Sequence, residues 1–121
     1  LEEAFENAAL ATFETMTDTS RITPELEAKI ETEGFDEKAL LYNWLETLLI
    51  RFETTETLYS QFEITNLQRT SECYKLKAKV CGERFDPEKH ISRVGVKAVT
   101  YHRMEIERKP DQVTVKFILD I

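Results

Sequence analysis

The sequence predicts an α+β domain in which two amphipathic helices pack on one face of a largely antiparallel, partly mixed β-sheet, a two-layer sandwich. Three observations predict it. Apolar residues recur at spacings of three and four near the start of the chain and again after residue 36, the period of a helix with one buried face. Residues 25–33, 74–81 and 112–121 alternate apolar with polar side chains, the period of a strand with one wet face. The order is helix, strand, helix and then strands only, which packs most economically with both helices on one side of the sheet.

The elements follow in turn. Leu1, Phe5, Ala8, Ala9, Thr12, Phe13 and Met16 share one helical face. No Ser, Thr, Asp or Asn precedes them as a cap. The reading is of a single domain over 1–121 that lacks a first segment. Asp18-Thr19-Ser20 closes this helix, and Thr23-Pro24 turns the chain into a strand. In that strand Leu26, Ala28, Ile30 and Thr32 face one way, and five charged residues from Glu25 to Glu33 face the other. Gly34-Phe35-Asp36 ends it, with Asp36 placed to cap the second helix. Leu41, Trp44, Leu45, Leu48, Leu49 and Phe52 form that helix's apolar stripe, and Trp44 at its centre is expected in the helix–sheet interface. The polar, β-branched run 53–57 stops it. Strands are expected over 58–65, 74–81, 94–108 (long, with room for a bulge) and 112–121. Residues 66–72 are expected to turn, and Glu83 to Arg93 to form a polar loop stiffened by Pro87.

Composition excludes several classes of function. The chain has 121 residues, 41% of them hydrophobic and 32% charged, a globular balance sized for one domain. Its apolar runs, such as Leu48-Leu49-Ile50, fall far short of the roughly 20 residues that span a bilayer, so no membrane partner is expected. Sixteen basic against 23 acidic residues give a net charge of −7. Such a surface repels a phosphate backbone and attracts a basic protein, so direct nucleic-acid binding is not expected. Cys73 and Cys81 bound one strand-like run and lie roughly 26 Å apart if it is extended. A disulfide needs Cα atoms within about 7 Å, so both thiols are expected free, as suits a cytoplasmic protein. The first residues also lack the basic start and apolar core of a secretory leader.

Few residues suggest chemistry. Three scattered glycines build no phosphate-binding loop, dinucleotide fingerprint or nucleophile elbow. His90 lies in the polar loop and His102 on a strand, neither at a zinc-like spacing from the cysteines. Lys75, Lys77 and Lys79 form a row of the kind that blunts an exposed sheet edge. The chain ends Phe117-Ile118-Leu119-Asp120-Ile121. With Ile121 as the last residue, its α-carboxylate sits beside the Asp120 carboxylate. Two hard anionic oxygens at a strand end suit Ca²⁺ or Mg²⁺, although a solvated terminus is the ordinary alternative.

Taken in order, several stretches resemble the archease family. They are Leu1-Glu2-Glu3-Ala4-Phe5-Glu6-Asn7-Ala8-Ala9 with Met16-Thr17-Asp18, then Tyr42-Asn43-Trp44-Leu45, then Gly82-Glu83-Arg84-Phe85-Asp86-Pro87-Glu88-Lys89-His90. Val96-Lys97-Ala98-Val99-Thr100-Tyr101-His102 and Ile118-Leu119-Asp120-Ile121 complete the set. The resemblance implies an archease-like fold and a protein cofactor of RtcB-type tRNA ligases. Such a cofactor promotes guanylylation of the ligase's active-site histidine and supports repeated turnover in tRNA splicing. It also implies a divalent metal (calcium, or magnesium or manganese) held by a terminal aspartate, the final carboxylate and an aspartate near the N-terminus. The first two correspond to Asp120 and Ile121. The third belongs to a His-Thr-Ala-Asp stretch that does not occur in this sequence. Lys97, and the loop around Asp86 and His90, become candidate contacts to the ligase.

Three functions compete. The first is a non-enzymatic ligase activator. The second is a chaperone or modulator of a tRNA methyltransferase, holding clients on an exposed apolar patch. The third is a small hydrolase pairing His90 or His102 with Asp120, which strand parity disfavours because His102 and Lys97 point to opposite faces.

Overall fold

A computed structural model describes residues 1–121. The chain runs α1 (Glu2–Met16), a 3₁₀ turn (Thr19–Arg21), β1 (Leu26–Gly34), α2 (Glu37–Thr55), β2 (Thr57–Arg69), β3 (Tyr74–Arg84), β4 (Ala98–Lys109) and β5 (Gln112–Asp120). The α+β class stands. The strands, however, divide into two sheets, β1-β3-β2 and a β4–β5 hairpin, and every pairing is antiparallel.

Local chemistry sets the element ends. The Asp36 carboxylate accepts the Ala39 N–H at 2.8 Å and caps α2, as its position predicted. Glu56 closes α2 in the left-handed region (φ 53°) and returns its N–H to Phe52. Residues 66–69 extend β2 instead of turning, because they pair with Lys77 through Tyr74; the turn is the tighter one over 70–73. Regular β4 starts at Ala98 and not at residue 94, because the N–H groups of Arg93 and Val94 bond to the Met16 and Thr15 carbonyls. The bulge in this strand is large: residues 101–104 lie between the pairs Thr100↔Ile118 and Glu105↔Lys116, where β5 has only Phe117. Arg103 takes φ 57° within it. The buried side chains accordingly change parity, from Val99 before the bulge to Met104 after it.

The core lies between the helices and the sheets. Trp44 is fully buried, donates its indole N–H to the Phe5 carbonyl at 3.0 Å and meets Phe62 edge-on. Phe5 and Phe13 of α1, Leu40, Leu41, Leu45 and Leu48 of α2, and Ile30, Leu76 and Val80 of the larger sheet close around it. Gly82 is required where β3 crosses β2, since a Cβ there would lie 1.8 Å from the Leu58 carbonyl oxygen. β3 is the central strand of its sheet, so the lysine row blunts no edge. Lys77 pairs with Glu31 at 3.9 Å and Lys79 with Glu63 at 3.7 Å on the solvent face. Both cysteines are free thiols, and no helix is long and apolar enough to cross a membrane.

Candidate functional site

Residues 82–97 lead from the end of β3 to the start of β4 and carry most of the candidate residues. Glu83 is buried, and one of its oxygens, Oε1, gathers three partners. They are the Thr23 N–H at 3.0 Å, Lys89 Nζ at 2.7 Å and His90 Nε2 at 2.7 Å. Burial alone would raise the Glu83 carboxyl. The hydrogen bonds from Lys89, Thr23 and His90, with the Lys89 charge, outweigh it and hold the group at about 2, below its ordinary 4.5.

His90 is also buried, and both its ring nitrogens are engaged. Nδ1 accepts the Asp86 N–H at 2.8 Å, which assigns the Nε2 proton to the bond with Glu83. Phe85 stacks on the ring at 6.0 Å. The Asp86 carbonyl accepts the Lys89 and His90 N–H groups, and its side chain accepts that of Glu88. Asp-Pro-Glu-Lys-His thus closes a single turn, with Pro87 where no N–H is needed. The ring of His90 faces inward, while Asp86 faces solvent.

The next residues dock on the C-terminal end of α1, whose last turn has no basic residue. Arg93 supplies the missing positive charge. Its Nη1 lies 3.0 Å from both the carbonyl and Oε1 of Glu14, and its N–H bonds to Met16. Beyond it, the Lys97 N–H donates to the Asp120 carbonyl at 2.7 Å. Lys97 and Asp120 are therefore neighbours at one end of the β4–β5 hairpin, both exposed, and Ile121 beside them is 65% exposed.

The structure sorts the candidates into two groups. Asp86 and His90 belong to the Glu83 cluster; Lys97, Asp120 and Ile121 belong to the strand end. The segment 91–97 connects the two. Neither histidine pairs with Asp120: His90 is committed to Glu83, and the exposed His102 donates its N–H to Thr100. The Asp120 carboxylate suits a hard cation in type, but the side chains around it do not suit one in number. No three His, Cys, Asp or Glu side chains gather around one point, and one carboxylate is far short of the six to eight oxygens calcium takes.

The sequence predicts Glu83 as the first residue of a polar loop, but it lies on β3, which runs on to Arg84 because Glu83 and Arg84 pair with Leu58 and Thr57 of β2. The signal for Glu83 was faint: a glutamate seven residues before a histidine, with Asp-Pro between to bend the chain back.

Comparison with known proteins adds a second line of evidence. The model of the Archease protein family (MTH1598/TM1083) matches residues 1–121. A relative named Protein archease from Sulfurisphaera tokodaii is 44% identical over 121 residues, all of this chain and 85% of that one. Another of that name from Pyrococcus furiosus is 44% identical over 111 residues, 92% of this chain and 78% of that one. The solution structure of Methanobacterium thermoautotrophicum protein 1598 is 40% identical and superimposes with a TM-score of 0.85, covering 99% of this chain and 84% of its own.

Proposed function

The chain belongs to the archease family, and from that premise we propose that it activates an RtcB-type tRNA ligase without catalysing a reaction itself. The observation that carries this reading is the Lys97 N–H···O=C Asp120 bond of 2.7 Å. It fixes the backbones of two exposed charged residues, Lys97 and Asp120, at one strand end, where a partner's nucleotide pocket has access to that end. The Lys97 ammonium forms no ion pair within the chain and is available to an anion such as a phosphate.

In this proposal Asp120, together with the α-carboxylate of Ile121 where that residue is the last, would contribute hard oxygens to a divalent cation, calcium or else magnesium or manganese. Other oxygens complete its shell. When bound, the cation supplies positive charge against the phosphates of the ligase's nucleotide. The chain's own residues orient: Asp120 and Lys97 are held by their backbone bond, and Asp86 offers a carboxylate from the stiffened turn. His90 serves that surface from behind, by holding Asp86 in place. The acidic surface favours a basic ligase face and disfavours direct contact with the RNA backbone. The cytoplasm is the proposed site of action.

The test is a guanylylation assay of the cognate ligase with labelled GTP, with and without this protein. Faster or repeated labelling of the ligase is expected, and none of this chain. Equal labelling in both arms, or label on this chain, would overturn the proposal.

A further inference from the structure

Beside the segment that carries Lys97 lies a half-open cavity of about 310 Å³. Its apolar walls come from four parts of the chain: Met16 at the end of α1, Phe52 near the end of α2, Leu58 on β2, and Phe85, Val94 and Val96 on the connecting segment. Three further residues on its lining are unusual. Thr17 is 2% exposed, and its hydroxyl is the one buried side-chain oxygen or nitrogen in the chain without a hydrogen-bond partner. Gly95 has no positive φ, and a Cβ built on it meets nothing within 4 Å. The fold itself therefore makes no demand for glycine at that position, and there is room for a side chain at the cavity lining. Glu53 is exposed at the rim and forms no ion pair.

We propose that this cavity receives one tyrosine side chain of the ligase, flanked by a basic residue that meets Glu53. The proposal rests on the function proposed above and names a contact of that complex apart from the Asp120 end. The chemistry selects the occupant. Aromatic and aliphatic walls suit a ring, and an unpartnered hydroxyl, which turns about its Cα–Cβ bond, suits a ring with one polar tip. A pocket this small takes a single anchoring side chain, and tyrosine is among the residues that dominate such contacts. The free Glu53 carboxylate adds a preference for positive charge alongside. The location agrees: Gly95 and Val96 lead directly into Lys97, so an anchored partner is brought against the Lys97–Asp120 end.

The test uses p-cresol, which is the tyrosine side chain as a free molecule, and toluene, which lacks the hydroxyl. Amide NMR shifts of Thr17, Gly95 and Val96 report binding to the whole chain. p-Cresol is expected to shift these amides and to bind roughly three- to tenfold more tightly than toluene, the worth of one neutral hydrogen bond. Thr17→Val keeps the shape and removes the hydroxyl, and is expected to bind both probes equally. Gly95→Leu adds a bulky apolar side chain at the cavity lining and is expected to bind neither. With the ligase, Gly95→Leu is expected to raise the concentration for half-maximal stimulation at least tenfold and to leave saturating stimulation at the parent level, because the Asp120 end is untouched. Absent shifts, equal binding of the two probes by the parent, or an unchanged preference in Thr17→Val would overturn the pocket chemistry. Parent-like half-maximal stimulation by Gly95→Leu would overturn the ligase as occupant. A parent protein that stimulates no ligase would sink the ligase assignment together with the proposed function, while the probe measurements would still decide the pocket.

Discussion

Replacing Glu83 by glutamine isolates the charge at the centre of the 82–97 segment. The amide matches the carboxylate in volume and keeps one carbonyl acceptor. Each bond to a charged acceptor is worth about 1.5–3 kcal/mol against about 0.5–1.5 for a neutral one, so each well-buried bond loses about 1 kcal/mol. Two of the three qualify, those from the Thr23 N–H and from His90 Nε2. The third, from a Lys89 side chain that is 42% exposed, is screened by solvent and adds little. The expected loss at neutral pH is about 2 kcal/mol. The depressed pKa gives an independent ceiling: a carboxyl held at about 2 instead of 4.5 contributes at most about 3 kcal/mol. Its sign also fixes the pH window. A depressed carboxyl stabilises the fold above its unfolded pKa, and that stabilisation fades as pH falls from about 4.5 towards 2. Urea unfolding of the parent and Glu83→Gln at pH 7, 5, 4, 3 and 2 should therefore show a full difference at pH 7 and 5 that shrinks at 4 and 3 and is nearly gone at 2. A difference that stays constant across this range, or none at pH 7, would refute the carboxylate as the hub of these bonds.

Further outcomes test the core, the sheet and the strand end. Trp44→Ala should lower the unfolding free energy by roughly 3–5 kcal/mol, since it opens a cavity and strands the Phe5 carbonyl bond; urea titration followed by circular dichroism reads this. Gly82→Ala should fail to give folded protein, because the added Cβ collides with the Leu58 carbonyl, a backbone atom that has no side-chain freedom to move away; a dispersed amide NMR spectrum would contradict it. Asp120→Ala should leave the unfolding free energy within about 0.5 kcal/mol of the parent, as an exposed site does, and abolish stimulation of ligase guanylylation.

The helices and the strand faces were legible because each carries its own period. The α2 stripe put Trp44 in the core, and the Asp36 cap fell where a short acceptor precedes a helix. What stayed illegible depends on contacts between distant parts of the chain. No local pattern says that Asn66–Arg69 finds partners on β3, since the residues are polar and only the register supplies their hydrogen bonds. Nothing in residues 94–97 says that Val94 gives its N–H to α1 instead of a neighbouring strand. The lysine row read as an edge because alternating lysines are common there; its central place is set by β1 and β2 flanking β3 with Glu31 and Glu63. For the site, the pairing of Lys97 with Asp120 required knowing that β4 and β5 form one hairpin. The depth of Glu83 and the missing partner of Thr17 are invisible without coordinates.

The division into two sheets gives the connecting segment its importance. Had the five strands formed one continuous sheet, ladder hydrogen bonds would hold the hairpin in place beside the larger sheet. Here no strand of the hairpin pairs with β1, β2 or β3. The orientation of the Asp120 end is set instead by side-chain packing, such as the Tyr42–Tyr101 stack at 4.4 Å and the Glu37–Arg108 pair, and by residues 85–97. Side-chain packing locates a hairpin, but the backbone bonds at Arg93, Val94 and Lys97 fix where its first residue begins. The Glu83 cluster anchors one end of that segment, the α1 terminus its middle and the Asp120 carbonyl its last residue, so Lys97 is positioned through three attachments, none of them a ladder bond between the two sheets. Breaking the first should then loosen the last: in Glu83→Gln the Lys97 amide should exchange with solvent faster than in the parent, while amides of α2 around Trp44 keep their relative protection. Uniformly faster exchange across all of these amides would mean that Glu83 merely stabilises the whole fold; an unchanged Lys97 rate would mean that its bond to Asp120 is held by the hairpin alone.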